Sequence, residues 1–191
     1  YRGGHDEVWG GARINIDSNF LDIGLGSVAP RETHCGGVTV AARDYPVLRP
    51  TADGYRAPKR MVKALQCFLS ERGLYDAGFH GRYGPATVAA ANAWQTQRGF
   101  AADPTWVRRD WMSLLSLGKK PVLKFGSAGF YVRRVQRTLN AAGIGSDVKV
   151  DGVYRTSTAT LVNDYQSRVG LPTTSVVDAA TWRALMAGKR G

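Results

Sequence analysis

Apolar residues recur along this chain at the spacing of one helix face, in blocks too short for long helices. Val62, Leu65, Phe68 and Leu69 form one block, and Val132, Val135 and Leu139 another. Thr87, Ala90, Ala91 and Trp94 repeat at i, i+3, i+4, i+7, as do Thr158, Leu161, Val162 and Tyr165. A third kind of block carries Trp111, Leu114 and Leu115, or Trp182, Leu185 and Met186. Glycines punctuate these runs: Gly73 and Gly143 end the first kind, Gly99 and Gly170 the second. Pro85 suits a first helical turn, and Asp178 is a candidate N-cap where the equivalent Val107 offers none.

The pairing of these blocks is an internal repeat. Gly81, Tyr83, Thr87, Asn92, Gln95, Gly99, Trp111 and Leu114 return at an offset of 71 as Gly152, Tyr154, Thr158, Asn163, Gln166, Gly170, Trp182 and Leu185. Upstream the offset is 70, matching Val62, Gln66, Leu69 and Gly73 to Val132, Gln136, Leu139 and Gly143. Pro46-Val47-Leu48-Arg49 matches Pro121-Val122-Leu123-Lys124 at an offset of 75. The expected fold class is mainly α. Two tandem three-helix units, residues 46–118 and 119–191, meet near Gly118-Lys119-Lys120. Residues 1–45 differ: Arg13 to Asp17 alternates as one short strand, set among many glycines in an arm too small for its own core.

Composition narrows the class. The 191 residues are 43% hydrophobic and 21% charged, an ordinary globular balance. No apolar run reaches the ~20 residues that span a bilayer. With 26 basic against 15 acidic residues the formal charge is +11, which draws polyanions. The basic residues are dispersed in pairs such as Arg108-Arg109, Lys119-Lys120 and Arg133-Arg134, unlike a nucleic-acid-reading helix or arm.

Gly126 to Val132, Val135-Gln136, Asp151-Gly152-Val153-Tyr154, Thr158, Tyr165-Gln166, Gly170-Leu171-Pro172 and Asp178 to Leu185 together resemble the three-helix type of peptidoglycan-binding domain. The resemblance covers 119–188. Residues 46–118 are similar with departures, since His80 replaces the turn aspartate and an insertion ends in Ala57-Pro58. Gly10 to Asn19 is similar to the last strand of a glycoside-hydrolase-like barrel of secreted bacterial proteins. That similarity implies that Asp17 is the remnant of a catalytic face.

The peptidoglycan-binding resemblance implies a shallow groove at the turn after the first helix and the start of the second. In the second copy it consists of Asp151, Gly152, Tyr154, Arg155, Thr158 and Gln166. His80, Gly81, Tyr83, Thr87 and Gln95 correspond in the first. Thr158, Gly81 and Gly152 read equally well as core or turn residues. Asp151, Tyr154, Arg155 and Gln166 are expected to face outward, with Arg155 suited to a peptide carboxylate.

No catalytic residue, cofactor or metal site is expected. Asp6, Glu7, Asp17 and Asp22 have no scaffold to fix their separation, and His5, His34, Cys35 and His80 lack metal-ligand spacing. The two cysteines, Cys35 and Cys67, are expected to form a disulfide if the protein is secreted, tying the arm to the first unit. The alternative is two free thiols in a reducing compartment.

The expected function is non-catalytic binding of peptidoglycan or another anionic wall polymer, in a secreted, wall-associated protein that holds an upstream or partner hydrolase. The alternatives are the end of a glycoside-hydrolase-like wall enzyme, or a secreted protein-binding or inhibitory protein.

Overall fold

The computed structural model describes residues 5–9, 12–16, 33–52 and 54–191. Asp17, Asp22 and most of the arm's glycines lie outside the described residues. Within the arm the structure has two antiparallel hairpins where the sequence led us to expect one strand. β1 (His5–Trp9) pairs with β2 (Ala12–Ile16), with Glu7 opposite Ile14. β3 (Thr33–His34) pairs with β4 (Val38–Thr39) across a turn in which Cys35, Gly36 and Gly37 all have positive φ. β2 covers Arg13–Ile16 of the strand expected from the alternation, whereas the two-residue strands β3 and β4 are too short to show one.

The rest of the described chain is mainly helical. α1 (Lys59–Ser70), α2 (Pro85–Gln97) and α3 (Arg108–Leu115) are followed by α4 (Phe130–Ala142), α5 (Thr156–Arg168) and α6 (Ala179–Met186). The predicted stripes are buried: Val62, Leu65, Leu69, Val132, Val135 and Leu139 are sealed from solvent, with Trp111 and Trp182 fully enclosed. Both indole N–H groups donate to a proline carbonyl, Trp111 to Pro46 and Trp182 to Pro121. Backbone bridges Leu48–Trp106 and Leu123–Val177 close each half.

Helix ends follow the residue chemistry. Gly99 and Gly170 are left-handed just past α2 and α5, and the next N–H reaches back to the Gln95 or Gln166 carbonyl at 2.8 Å. The Asp178 carboxylate accepts from Thr181 N–H at 2.8 Å and caps α6. At α3 the carboxylate has moved inside the helix: Asp110 reaches back to Val107 N–H at 2.9 Å, which compensates for valine's lack of an acceptor.

Two features exceed the sequence pattern. Residues of the 33–45 segment enter the core, where Val40, Ala42 and Tyr45 are buried and Tyr45 packs edge-on against Trp111. The two halves also pack against each other, α3 on α4. Arg134, Arg137, Thr138, Ala141 and Ala142 of α4 are therefore buried along with its apolar stripe. Between the halves, Arg108 reaches the Ala141 carbonyl and Arg98 the Met186 carbonyl; Arg108 also meets Asp44 of the arm. Burial lowers the Arg137 guanidinium to a pKa of about 10.

Candidate functional site

One buried carboxamide organises the turn in each half. In the second half the Gln136 Oε1 accepts from Gly152 N–H at 2.9 Å. Its Nε2 donates to the Val153 carbonyl at 3.1 Å, to Thr158 Oγ1 at 3.2 Å and to Asp151 Oδ1 at 3.3 Å. That side chain, carried on α4, fixes both the Asp-Gly turn and the start of α5. Gly152 is needed here for a stated reason: its φ is +79°, and a Cβ would sit 3.0 Å from Arg133 Cγ and 3.2 Å from the Gly129 carbonyl oxygen.

Asp151 closes the turn on itself, Oδ1 accepting from Val153 N–H at 2.9 Å, while Oδ2 pairs with Arg155 four residues on, at the N-cap of α5. Burial alone would raise the Asp151 carboxyl. The bonds from Val153, Arg155 and Gln136 outweigh it and hold the group below its ordinary value. Arg155 is exposed and Asp151 half-buried, so the pair stands at the surface, where such pairs contribute little to stability.

In the first half Gln66 has the same role. Its Oε1 accepts from Gly81 N–H at 2.9 Å, and its Nε2 donates to the Arg82 carbonyl and to Thr87 Oγ1, each at 3.0 Å. His80 takes the place of the aspartate: its Nδ1 accepts from Arg82 N–H at 3.0 Å. Tyr75 gives its hydroxyl proton to the Gly78 carbonyl, so the imidazole Nε2–H donates to the Tyr75 oxygen at 3.1 Å. An imidazole ring thus reproduces an aspartate's turn, without its charge. Gly84 stands where the second half has Arg155, so the first turn lacks the equivalent of the Asp151–Arg155 pair.

The expected outward face needs correction. Tyr154 is 1% exposed and its hydroxyl donates to the Ser175 carbonyl at 2.8 Å. Gln166 is likewise buried, its Oε1 accepting from Thr174 N–H and its Nε2 donating to the Val176 carbonyl. Gln95 does the same for Asp103 N–H and the Thr105 carbonyl. These side chains hold the loops that enter α3 and α6. Thr87, Thr158 and Tyr83 are also buried. Of the groove residues named from the sequence, Arg155 and His80 are exposed, Asp151 and Gly81 half-buried. Sequence reasoning missed Gln66 and Gln136 as the organisers, although the repeat had paired them.

The halves differ in how well this scaffold is satisfied. Ser175 N–H donates to Asn163 Oδ1 at 2.7 Å, but the equivalent residue of the first half is Pro104, which has no N–H. Among the described residues, the Asn92 Oδ1 and the Tyr83 hydroxyl are buried without a partner.

Cys35 and Cys67 form a disulfide, with 5.9 Å between their Cα atoms. Their sulfurs lie near Glu71, but bonded to each other they offer no thiolate to a metal. His34 Nδ1 meets Glu71 at 2.6 Å. Among the described residues no helix is long and apolar enough to cross a membrane.

No curated protein and no solved structure matches the chain. Residues 131–185 match a family model described as a putative peptidoglycan binding domain, which supports a domain of that kind across α4, the Asp151 turn, α5 and most of α6.

Proposed function

We propose that the chain binds bacterial cell-wall peptidoglycan without catalysis, through two tandem three-helix modules at 46–118 and 119–191. An upstream or partner hydrolase would be held on its substrate in this way, outside the cytoplasm. The observation that carries the reading is the family match at 131–185, which spans the Asp151–Arg155 turn. The disulfide accords with an oxidising compartment. Support for a second module comes from the shared scaffold: Gln66 and Gln136, and Gln95 and Gln166, make the same bonds in both halves.

The exposed Arg155 is the contact residue of this reading. A peptide carboxylate can accept from the guanidinium N–H groups that Asp151 Oδ2 leaves open, while Asp151, itself fixed by Val153 N–H, holds Arg155 in place. His80 and Gly84 remove the Asp151–Arg155 type of pair from the first module, whose turn instead carries the exposed Arg82. A shallow site of this kind binds weakly, and a second one on the same polymer raises retention through effective concentration.

The test is sedimentation of the whole chain with purified, insoluble peptidoglycan at moderate ionic strength. The whole chain is required because each half covers apolar surface of the other. The wild-type chain is expected in the pellet, with Arg155→Ala partly released. A wild-type chain left in the supernatant overturns the proposal.

A further inference from the structure

Lys59, Lys63 and Cys67 are four residues apart on α1 and so share one ridge of the helix. The disulfide at Cys67 brings the β3–β4 hairpin alongside that ridge. Between hairpin and helix lies an open cleft of about 730 Å³, walled by Gly36–Thr39 on one side and by Lys59, Arg60 and Lys63 on the other, with Phe79 beside them. Phe79 directly precedes His80 and Gly81, and Gly81 lies against Lys59 and Lys63 so closely that a Cβ there would come within 2.5 Å of Lys59 Cγ. The cleft therefore adjoins the first turn but is built from different residues.

Its charge is of one sign. No acidic residue lines it, and among the described residues neither Lys59 nor Lys63 forms an ion pair. Arg60 is anchored by donating to the Ala41 carbonyl at 2.6 Å. The opposing wall begins with Gly36 and Gly37, both in positive φ and open to close approach, and continues through Val38 and Thr39. Three cations gathered without a carboxylate repel each other, and an anion placed among them relieves that repulsion.

We infer that this cleft is an oxyanion site, built by the disulfide-held hairpin against α1, that takes a phosphodiester or carboxylate group of an anionic wall polymer. It stands apart from the Asp151–Arg155 turn, so the peptidoglycan reading and this one can fail separately. The hairpin supplies one wall, and the disulfide holds it to α1, so opening the disulfide loosens the site.

The experiment titrates the oxidised whole chain with inorganic phosphate at low salt and follows backbone amide shifts. Saturable shifts are expected at Gly36–Thr39 and Lys59–Lys63. The double substitution Lys59→Gln, Lys63→Gln is expected to weaken the midpoint about tenfold, with the difference shrinking at high salt. Lys119→Gln, Lys120→Gln removes the same charge from an exposed segment and is expected to change it less than about twofold. Reduction of the disulfide is expected to match the cleft variant, and Arg155→Ala to leave the midpoint alone. Equal weakening by both lysine pairs, or shifts spread over the surface, overturns the inference. Sedimentation with walls before and after removal of their phosphodiester polymers identifies the source. A Lys59/Lys63 dependence lost on removal assigns the phosphodiester, and one retained assigns the carboxylate. No dependence on either wall overturns the site's role.

Discussion

Replacing Gln136 by methionine keeps the side chain's length and bulk but removes its hydrogen bonding. The four bonds of the carboxamide then disappear together: from Gly152 N–H, and to Val153, Thr158 and Asp151. Gly152 N–H is the costly one, because it is buried and has no other acceptor. An orphaned buried donor costs about 1–3 kcal/mol, and each lost bond to the remaining acceptors somewhat under ~1 kcal/mol. The total is about 3 kcal/mol, which for a chain of this size lowers Tm by roughly 6–12 °C. Thermal and denaturant unfolding measure it, and hydrogen exchange at Gly152 localises it. The same change at Gln66 is expected to cost about half as much, since Gly81 and His80 are open enough for water to replace the lost bonds. A loss under about 1 kcal/mol at Gln136, or unaltered exchange at Gly152, refutes the carboxamide as organiser.

Other substitutions test the same reasoning. Gly99→Ala meets only the cost of φ +72°, about 1 kcal/mol, because nothing lies within 4 Å of the new Cβ. Gly81→Ala adds a contact 2.7 Å from the Lys59 carbonyl oxygen and is expected to cost about 3 kcal/mol or more; equal losses in denaturant midpoint refute the clash. Tyr154→Phe loses a bond and about 1 kcal/mol, whereas Tyr83→Phe removes an unpartnered hydroxyl and is expected to be neutral or stabilising by the same measurement. The Asp178 carboxyl is held below its ordinary value of 3.8 by the bonds from Thr181. A depressed carboxyl stabilises the fold fully above its unfolded value and loses that contribution as pH falls through the lower folded one. Asp178→Asn keeps an acceptor at the cap but does not titrate, so its stability between neutral pH and pH 2 is expected to fall less steeply than wild type. Parallel curves refute the assignment.

The helices were legible because their apolar residues repeat at the period of a helix face, and glycine stops sit one to three residues past α1, α2, α4 and α5. The outward placement of Gln166 failed against that same rule. Counting from Thr158, Gln166 is i+8, on the stripe with Leu161, Val162 and Tyr165, and Gln95 stands likewise to Thr87. The period had already placed both inside, but the polarity of Gln166 suggested the surface. Tyr154 precedes its helix, so no periodicity bears on it; its burial follows from the loop that Gln136 folds back. The packing of α4 on α3 was hidden for another reason. Its second face is Arg134, Thr138 and Ala141, a mixture that reads as solvated until a neighbour covers it. His80 in place of aspartate was visible as a departure, and only the geometry shows that imidazole can make the same turn.

If both halves grip the polymer as proposed, the contact between α3 and α4 makes them a calliper. Units strung on a slack thread could each settle wherever a polymer offers a foothold, but jaws on one rigid back can close together only where footholds recur at their own spacing. The seam between the halves would then act as a ruler, and loosening it would trade selectivity among mesh geometries for indiscriminate grip.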